Sequence, residues 1–210
     1  MQNYFIKTPW IVKKIFSQYT WSFNGGNNEV YLTFDDGPHL TITPWVLEEL
    51  KKHGAKATFF CIGKNVAQHQ AIYQRILNEG HAVGNHTQNH LNGWKAPAGR
   101  YLADVKEASV HIDSNLFRPP YGRITMKQSS GLSEAMGKKV KVIMWDVLSG
   151  DFDRSIKPER CLENVIKNTI SGSVIVFHDS EKAFCNLLYV LPEVLIYLKS
   201  KGLKCASIDG

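Results

Sequence analysis

The chain lacks paired cysteines. Cys61, Cys161, Cys185 and Cys205 stand far apart with no C-x-x-C spacing, which argues against a cysteine zinc site and leaves nothing that requires a disulfide. It also lacks any run approaching the ~20 apolar residues of a membrane span. The first 19 residues mix Lys7, Lys13 and Lys14 with apolar side chains and hold no uninterrupted apolar core or convincing cleavage site. These absences read as a soluble chain not exported by the usual cleavable signal, cytoplasmic by sequence, with the cell envelope as the alternative location. A dense basic stripe is missing as well. The formal charge of +6, from 25 basic and 19 acidic residues, is spread over helix ends and solvated faces, which argues against a nucleic-acid partner. No linker, short repeat or low-complexity segment divides the chain, so a single domain is expected. Oligomeric state is not legible.

What is present is a hydrophobic fraction of 43%, enough for a full core. Residues 1–24 form a preamble in which 6–19 could make a short amphipathic helix, and Trp10, Phe16, Trp21 and Phe23 could pack on the main body, residues 25–210. Gly25 to Asn28 breaks the chain, and a regular rhythm follows. Strands are expected at 30–34, 57–60, 81–84, 116–118, 140–145, 173–177 and 204–208. Between them lie helical stretches: one opened by Thr43 and Pro44 and ending near Gly54, then 65–79, 98–114, 127–136, 158–170, and 183–201, interrupted by Pro192 and so expected to be kinked or double. Such alternation argues for an α/β fold with a parallel sheet and helical crossovers. Seven units suit a barrel one short of the usual eight; an open doubly wound sheet is the other arrangement.

Parallel α/β folds carry their sites at the C-terminal ends of strands, and the unusual polar residues fall there. The first strand ends in Asp35-Asp36-Gly37-Pro38. Two adjacent carboxylates that close are unfavourable unless a cation or proton separates their roles; one on a metal and one left as a base resolves the conflict, whereas an acidic turn is the plainer reading. The third strand ends in His86-Thr87-Gln88-Asn89-His90. The i, i+4 spacing on one helical turn would bring both imidazoles to one side and, with Asp36, build a two-histidine, one-carboxylate metal site with open positions. Arg118, at the end of the fourth strand, could hold and orient Asp35 or be a surface charge. Tyr121 lies in a turn where its backbone N–H could meet a substrate oxygen. Asp151 and His178 could be an orienting pair in which the carboxylate favours the protonated ring. Asp146, Asp153 and Asp179 read as solvated or structural. One such residue proves little; five coincident strand ends are hard to attribute to packing or solvation.

Together these residues resemble the polysaccharide deacetylase family, the NodB-homology carbohydrate esterases, over about residues 30–208. The first motif, T-F-D-D-G-P, stands complete at 33–38. H-[ST]-x-x-H matches 86–90 and R-x-P-Y matches 118–121. The fourth is looser, with Phe152 after Asp151 where the family has Trp. The fifth, L-x-H, has Val176 before Phe177-His178. The resemblance implies a deformed (β/α)7 barrel that removes N-acetyl groups from amino-sugar polymers such as peptidoglycan or chitin-like oligosaccharides. It implies a divalent metal on Asp36, His86 and His90, zinc first, with cobalt or nickel able to substitute. It further implies Asp35 as general base, Arg118 as its positioner, His178 held by Asp151 as general acid, and Pro119, Tyr121, Phe152 and Val176 against the acetylated polysaccharide or oligosaccharide. Three other readings compete: an O-acetyl polysaccharide esterase, a non-haem iron oxygenase using the same triad, and a non-catalytic carbohydrate-binding protein on the same scaffold.

Overall fold

In the computed structural model, residues 4–209 are described; residues 1–3 of the preamble and residue 210 lie outside them. The fold grows from β1 (Glu29–Asp35), in which alternate side chains serve two cores. Val30, Leu32 and Phe34 point outward into a cluster with α2 (Ile42–Lys52), α4 (Gln70–Asn78), α7 (Pro158–Ile166) and α8 (Phe184–Ser200). Tyr31, Thr33 and Asp35 occupy the opposite face. The same parity runs round the sheet: Phe59 joins the outer cluster, while Phe60 packs inside with Leu116, Ile143 and Val174. Each fully buried Phe or Leu removes enough apolar surface to contribute about 1.5–3 kcal/mol.

Beside β1 lie β2 (Ala57–Cys61), β3 (Ala82–Asn85), β4 (Leu116–Phe117) and β5 (Lys141–Val142) on one side. On the other are β7 (Val174–His178) and β6 (Val147–Leu148). The order is β5-β4-β3-β2-β1-β7-β6, with β8 (Lys204–Cys205) paired to the start of β1. Every strand pair is parallel. This is the curled parallel sheet with outer helices of a deformed (β/α)7 barrel.

Three expectations change. The fifth strand stops at Val142 instead of reaching Trp145, and β6 appears as an additional strand on the far edge. No helix separates the two: the chain passes from one edge of the sheet to the other, and the N-terminal segment occupies the seam. Thr20 N–H donates to Val142 O and Met144 N–H to Thr20 O, while Leu148 N–H donates to Ile6 O and Thr8 N–H to Asp146 O. Asp146, buried among these strands, accepts from Lys7, Lys13 and Ser173. In the same segment α1 is short (Trp10–Ile15) and leaves Trp10, Ile11 and Ile15 exposed. Second, the stretch 65–79 is two helices, α3 (Gly63–Gln68) and α4, because His69 leaves helical backbone at φ −125 and ψ 47. Third, α8 passes through Pro192 without ending.

Candidate active site

Asp35 closes β1 on the inner face, 4% exposed. The next residue, Asp36, has φ 83, a left-handed conformation that turns the chain sharply and is uncommon outside glycine. The turn is tied down from several sides. Asp179 N–H donates to Asp35 O, Asn65 Nδ2 to Asp36 O, and Ile62 N–H to Gly37 O. Buried Asp179 accepts from Gly37 N–H at 3.0 Å and from the Thr43 hydroxyl at 2.5 Å. A Cβ at Gly37 would meet Asp179 Oδ2 at 2.1 Å, so only glycine fits there. Burial, opposed by the Thr43 hydrogen bond and aided by the Asp36 charge, pushes Asp179 up to about 8. Asp179 is thus part of the turn's support, which the sequence did not reveal: an Asp after a His carries no local signal.

His86 and His90 are not on a helical turn. They follow β3 in an irregular loop, with Thr87 at φ 65 and His90 at φ 55. Asp104, from α5 (Ala98–Ala108), shapes this loop by accepting from Gln88 N–H, Asn89 N–H and Asn89 Nδ2. Asn85 Oδ1 accepts from Thr87 N–H, and Thr87 Oγ1 from Leu91 N–H. The rings still converge, with centroids 5.1 Å apart. His86 Nδ1 is 2.7 Å from Arg118 O. A carbonyl can only accept, so Nδ1 carries the proton and Nε2 is left with its lone pair toward Asp36. Burial pushes His86 down to about 4, which keeps the ring neutral.

One donor atom from each of Asp36, His86 and His90 lies within 4.8 Å of the other two. Asp36 Oδ1 is 3.1 Å from His90 Nε2 and 3.8 Å from His86 Nε2, yet it is buried and accepts no hydrogen bond. Burial alone would raise Asp36; the surrounding imidazoles, His90 first, hold it well below the carboxylate range. An ionised, orphaned oxygen beside two imidazole nitrogens fits a divalent cation.

Arg118 follows β4 and is wholly buried. Its Nη1 donates to Asp35 Oδ1 at 2.8 Å and to Thr33 Oγ1 at 2.7 Å; Nε donates to Ile143 O and Nη2 to Met144 O. The guanidinium lies 4.0 Å from the Phe60 ring centroid. Buried Pro119 leads into a short 3-10 turn, Pro120–Gly122, where Tyr121 has φ 61 and stands 60% exposed with its ring 4.6 Å from that of His90. Of the five described non-glycine residues with positive φ, four (Asp36, Thr87, His90 and Tyr121) border this centre. Conformations of that kind cost about 1–3 kcal/mol each and persist where function holds them.

His178 ends β7 in register with Asp35 on β1. Asp151 accepts from its Nδ1 at 2.8 Å and from its backbone N–H at 2.7 Å. Burial disfavours the charged ring, but the charge and hydrogen bond of Asp151, reinforced by Asp36 and Asp35, raise His178 to about 9. Phe152 stands edge-on to His178 at 5.1 Å and also meets Tyr4 of the N-terminal segment. Val176, paired with Thr33, shares the inner face with His178. Asp146 and Asp153 are outside the centre, in the seam and on the Tyr4 hydroxyl respectively. Two cavities flank Tyr121. One, of about 380 Å³, has aromatic walls that include Tyr4, Phe5, Trp21 and Trp145; the other, of about 550 Å³, runs from His90 past Lys95 and Arg100 to Arg123. A cavity of about 710 Å³ opens at the other end of the barrel, where β1 and β8 begin, far from these groups.

Fold and donor set together define a parallel α/β barrel with a site fit for a divalent cation at the C-terminal ends of its strands. The polysaccharide deacetylase family model matches residues 24–143. A peptidoglycan-N-acetylglucosamine deacetylase of Bacillus cereus is 33% identical over 202 residues, 92% of this chain and 72% of that protein. A chitooligosaccharide deacetylase of Azorhizobium caulinodans is 32% identical over 160 residues, 72% of this chain and 74% of that one. The crystal structure of a peptidoglycan N-acetylglucosamine deacetylase in complex with 4-naphthalen-1-yl-N-oxidanyl-benzamide aligns with a TM-score of 0.81 at 32% identity, over 96% of this chain and 95% of that chain. The chain belongs to the polysaccharide deacetylase family and is a hydrolase of amide bonds.

Proposed function

We propose that this protein removes the acetyl group from N-acetylglucosamine residues of peptidoglycan, acting at the cell envelope, with chitin-like oligosaccharides as the second substrate class. The observation that carries the reading is the grouping of a base, a cation site and an acid around one opening. Asp36, His86 and His90 would hold the metal, zinc by donor type. Such a cation supplies Lewis acidity for the amide carbonyl and the attacking water. Asp35, oriented by the Arg118 guanidinium, takes the water's proton as the oxygen adds to the acetyl carbon. The Tyr121 N–H, which donates to no described backbone acceptor, is free to stabilise the carbonyl oxygen as it gains charge. When the C–N bond breaks, His178 gives its proton to the leaving amine, and Asp151 steadies the imidazolium until then. The products are acetate and a free amino sugar. Phe152 and Val176 wall the acetyl methyl, and Pro119 sets the turn beneath Tyr121.

The test is acetate release from peptidoglycan and from N-acetylglucosamine oligomers, with protein stripped of metal and then given zinc, cobalt or nickel. Metal-dependent release from peptidoglycan supports the proposal. Release from O-acetylated xylan alone would replace it with the O-acetyl esterase reading, and sugar binding without any release would replace it with a carbohydrate-binding role.

A further inference from the structure

The cavity of about 550 Å³ beside His90 carries three cations, Lys95, Arg100 and Arg123, and no acidic residue. Among the described residues none of the three is paired with a carboxylate. Most described lysines and arginines are likewise without a carboxylate partner; what sets these three apart is that they share one concavity with no acid in its lining. The Arg123 guanidinium lies 5.0 Å from the Trp94 ring centroid, a contact that restricts this side chain of the cavity wall. Arg100 stands in the first turn of α5, where the helix dipole disfavours a cation, so helix stability does not explain its presence. Tyr121 and His90 form the other end of the cavity, which makes it continuous with the reacting centre. Like charges collected in a concavity concentrate their field on whatever enters, and arginine forks match carboxylates.

We propose that this basic cavity receives a carboxylate borne by the sugar or peptide next to the residue being deacetylated, so that an acidic glycan is preferred over a neutral one. The inference rests on the deacetylase reading and deepens it. In peptidoglycan each N-acetylglucosamine is flanked by sugars that carry carboxylates, on the peptide attached through the lactyl group or on the lactyl group itself where the peptide is absent. A chitin-like chain offers hydroxyl and acetamido groups only, which gain nothing from three cations.

The experiment compares metal-loaded wild type with Lys95→Gln/Arg100→Gln/Arg123→Gln on a soluble peptidoglycan fragment and on a chitooligosaccharide of equal sugar number. The expected result is a fall of about tenfold in the ratio of kcat/KM for the acidic over the neutral substrate, seen mainly in KM and reproduced in wild type by raising salt, the size expected of three solvent-exposed charge contacts. A Lys51→Gln/Lys106→Gln control, which removes charge elsewhere, should leave the ratio where it is. Affinity of metal-free protein for the peptidoglycan fragment, measured by calorimetry, should fall in parallel. If the triple variant does not fold, Lys95→Gln alone should show the same change on a smaller scale. An unchanged ratio, or a wild type that prefers the neutral substrate, overturns the proposal. A wild type that releases acetate from neither substrate overturns the deacetylase reading first, so the two failures are distinguishable.

Discussion

Arg118 is where fold and chemistry are least separable. Its side chain makes four hydrogen bonds and has no exposed surface, and its partner Asp35 is 4% exposed. Arg118→Met would leave that carboxylate buried without its cation and the Ile143 and Met144 carbonyls without this donor. Removing one member of a buried pair costs about 3–5 kcal/mol, a large part of the ~5–15 kcal/mol that holds a domain together. Arg118→Lys keeps the charge but cannot span Thr33, Asp35, Ile143 and Met144 at once; with one or two acceptors deserted it should cost about 1–3 kcal/mol. Urea unfolding followed by fluorescence reads both. The decisive protein is the double variant Arg118→Met/Asp35→Asn. If the Met variant suffers chiefly from an unpaired buried charge, neutralising Asp35 should recover about 1–3 kcal/mol of stability while acetate release stays absent. A double variant no more stable than Arg118→Met would refute this account and point to lost packing against Phe60 instead.

Three further outcomes follow from the same geometry. Asp36→Ala should abolish metal binding as measured by elemental analysis, whereas Asp35→Asn should keep the metal and lose turnover; retained turnover in the second would sink the assignment of Asp35 as base. His178, raised from 6.5 to about 9, stays protonated below that value, so the rate should decline as pH rises through it, at a lower pH in metal-loaded protein because the added positive charge opposes Asp36 and Asp35. Asp151→Asn should move that limb toward 6.5, and the stability that the ion pair lends, full below 6.5 and lost toward 9, should disappear with it in unfolding measured across this range. Lys7→Gln/Lys13→Gln should destabilise the protein by about 2–3 kcal/mol, since the Asp146 side chain is 2% exposed and would keep the Ser173 hydroxyl but no counter-charge, while Asp146→Asn should cost less because both lysines reach solvent; the reverse order of urea midpoints would contradict that reasoning.

The chemistry was legible in the sequence to the extent that it was local. An apolar strand broken by Asp-Asp-Gly-Pro, a histidine pair after another strand, and the alternation of strand and helix each depend on neighbours in the chain. They sufficed for the barrel and for the groups that surround its C-terminal opening. The details that failed were those in which distant groups compete for one backbone. The i, i+4 histidines suggested a helical turn, but Asp104, from the next helix, captures the N–H groups of the loop and holds it irregular. The fifth strand was read too long because Ile143 O and Met144 O go to Arg118 instead of a neighbouring strand.

By itself, then, the sequence determined which residues carry charge at strand ends and how often the sheet recurs, because hydrophobic period and turn chemistry act within a few residues. Only the tertiary structure decided what each charge faces. Asp146 and Asp179 look alike as isolated acids, yet one joins the N-terminal segment to the barrel seam through two lysines and the other supports the Asp35–Asp36 turn through Gly37 and Thr43. The free energy of a buried charge depends on its partners and on the water it has lost, and both are properties of packing between segments more than 100 residues apart.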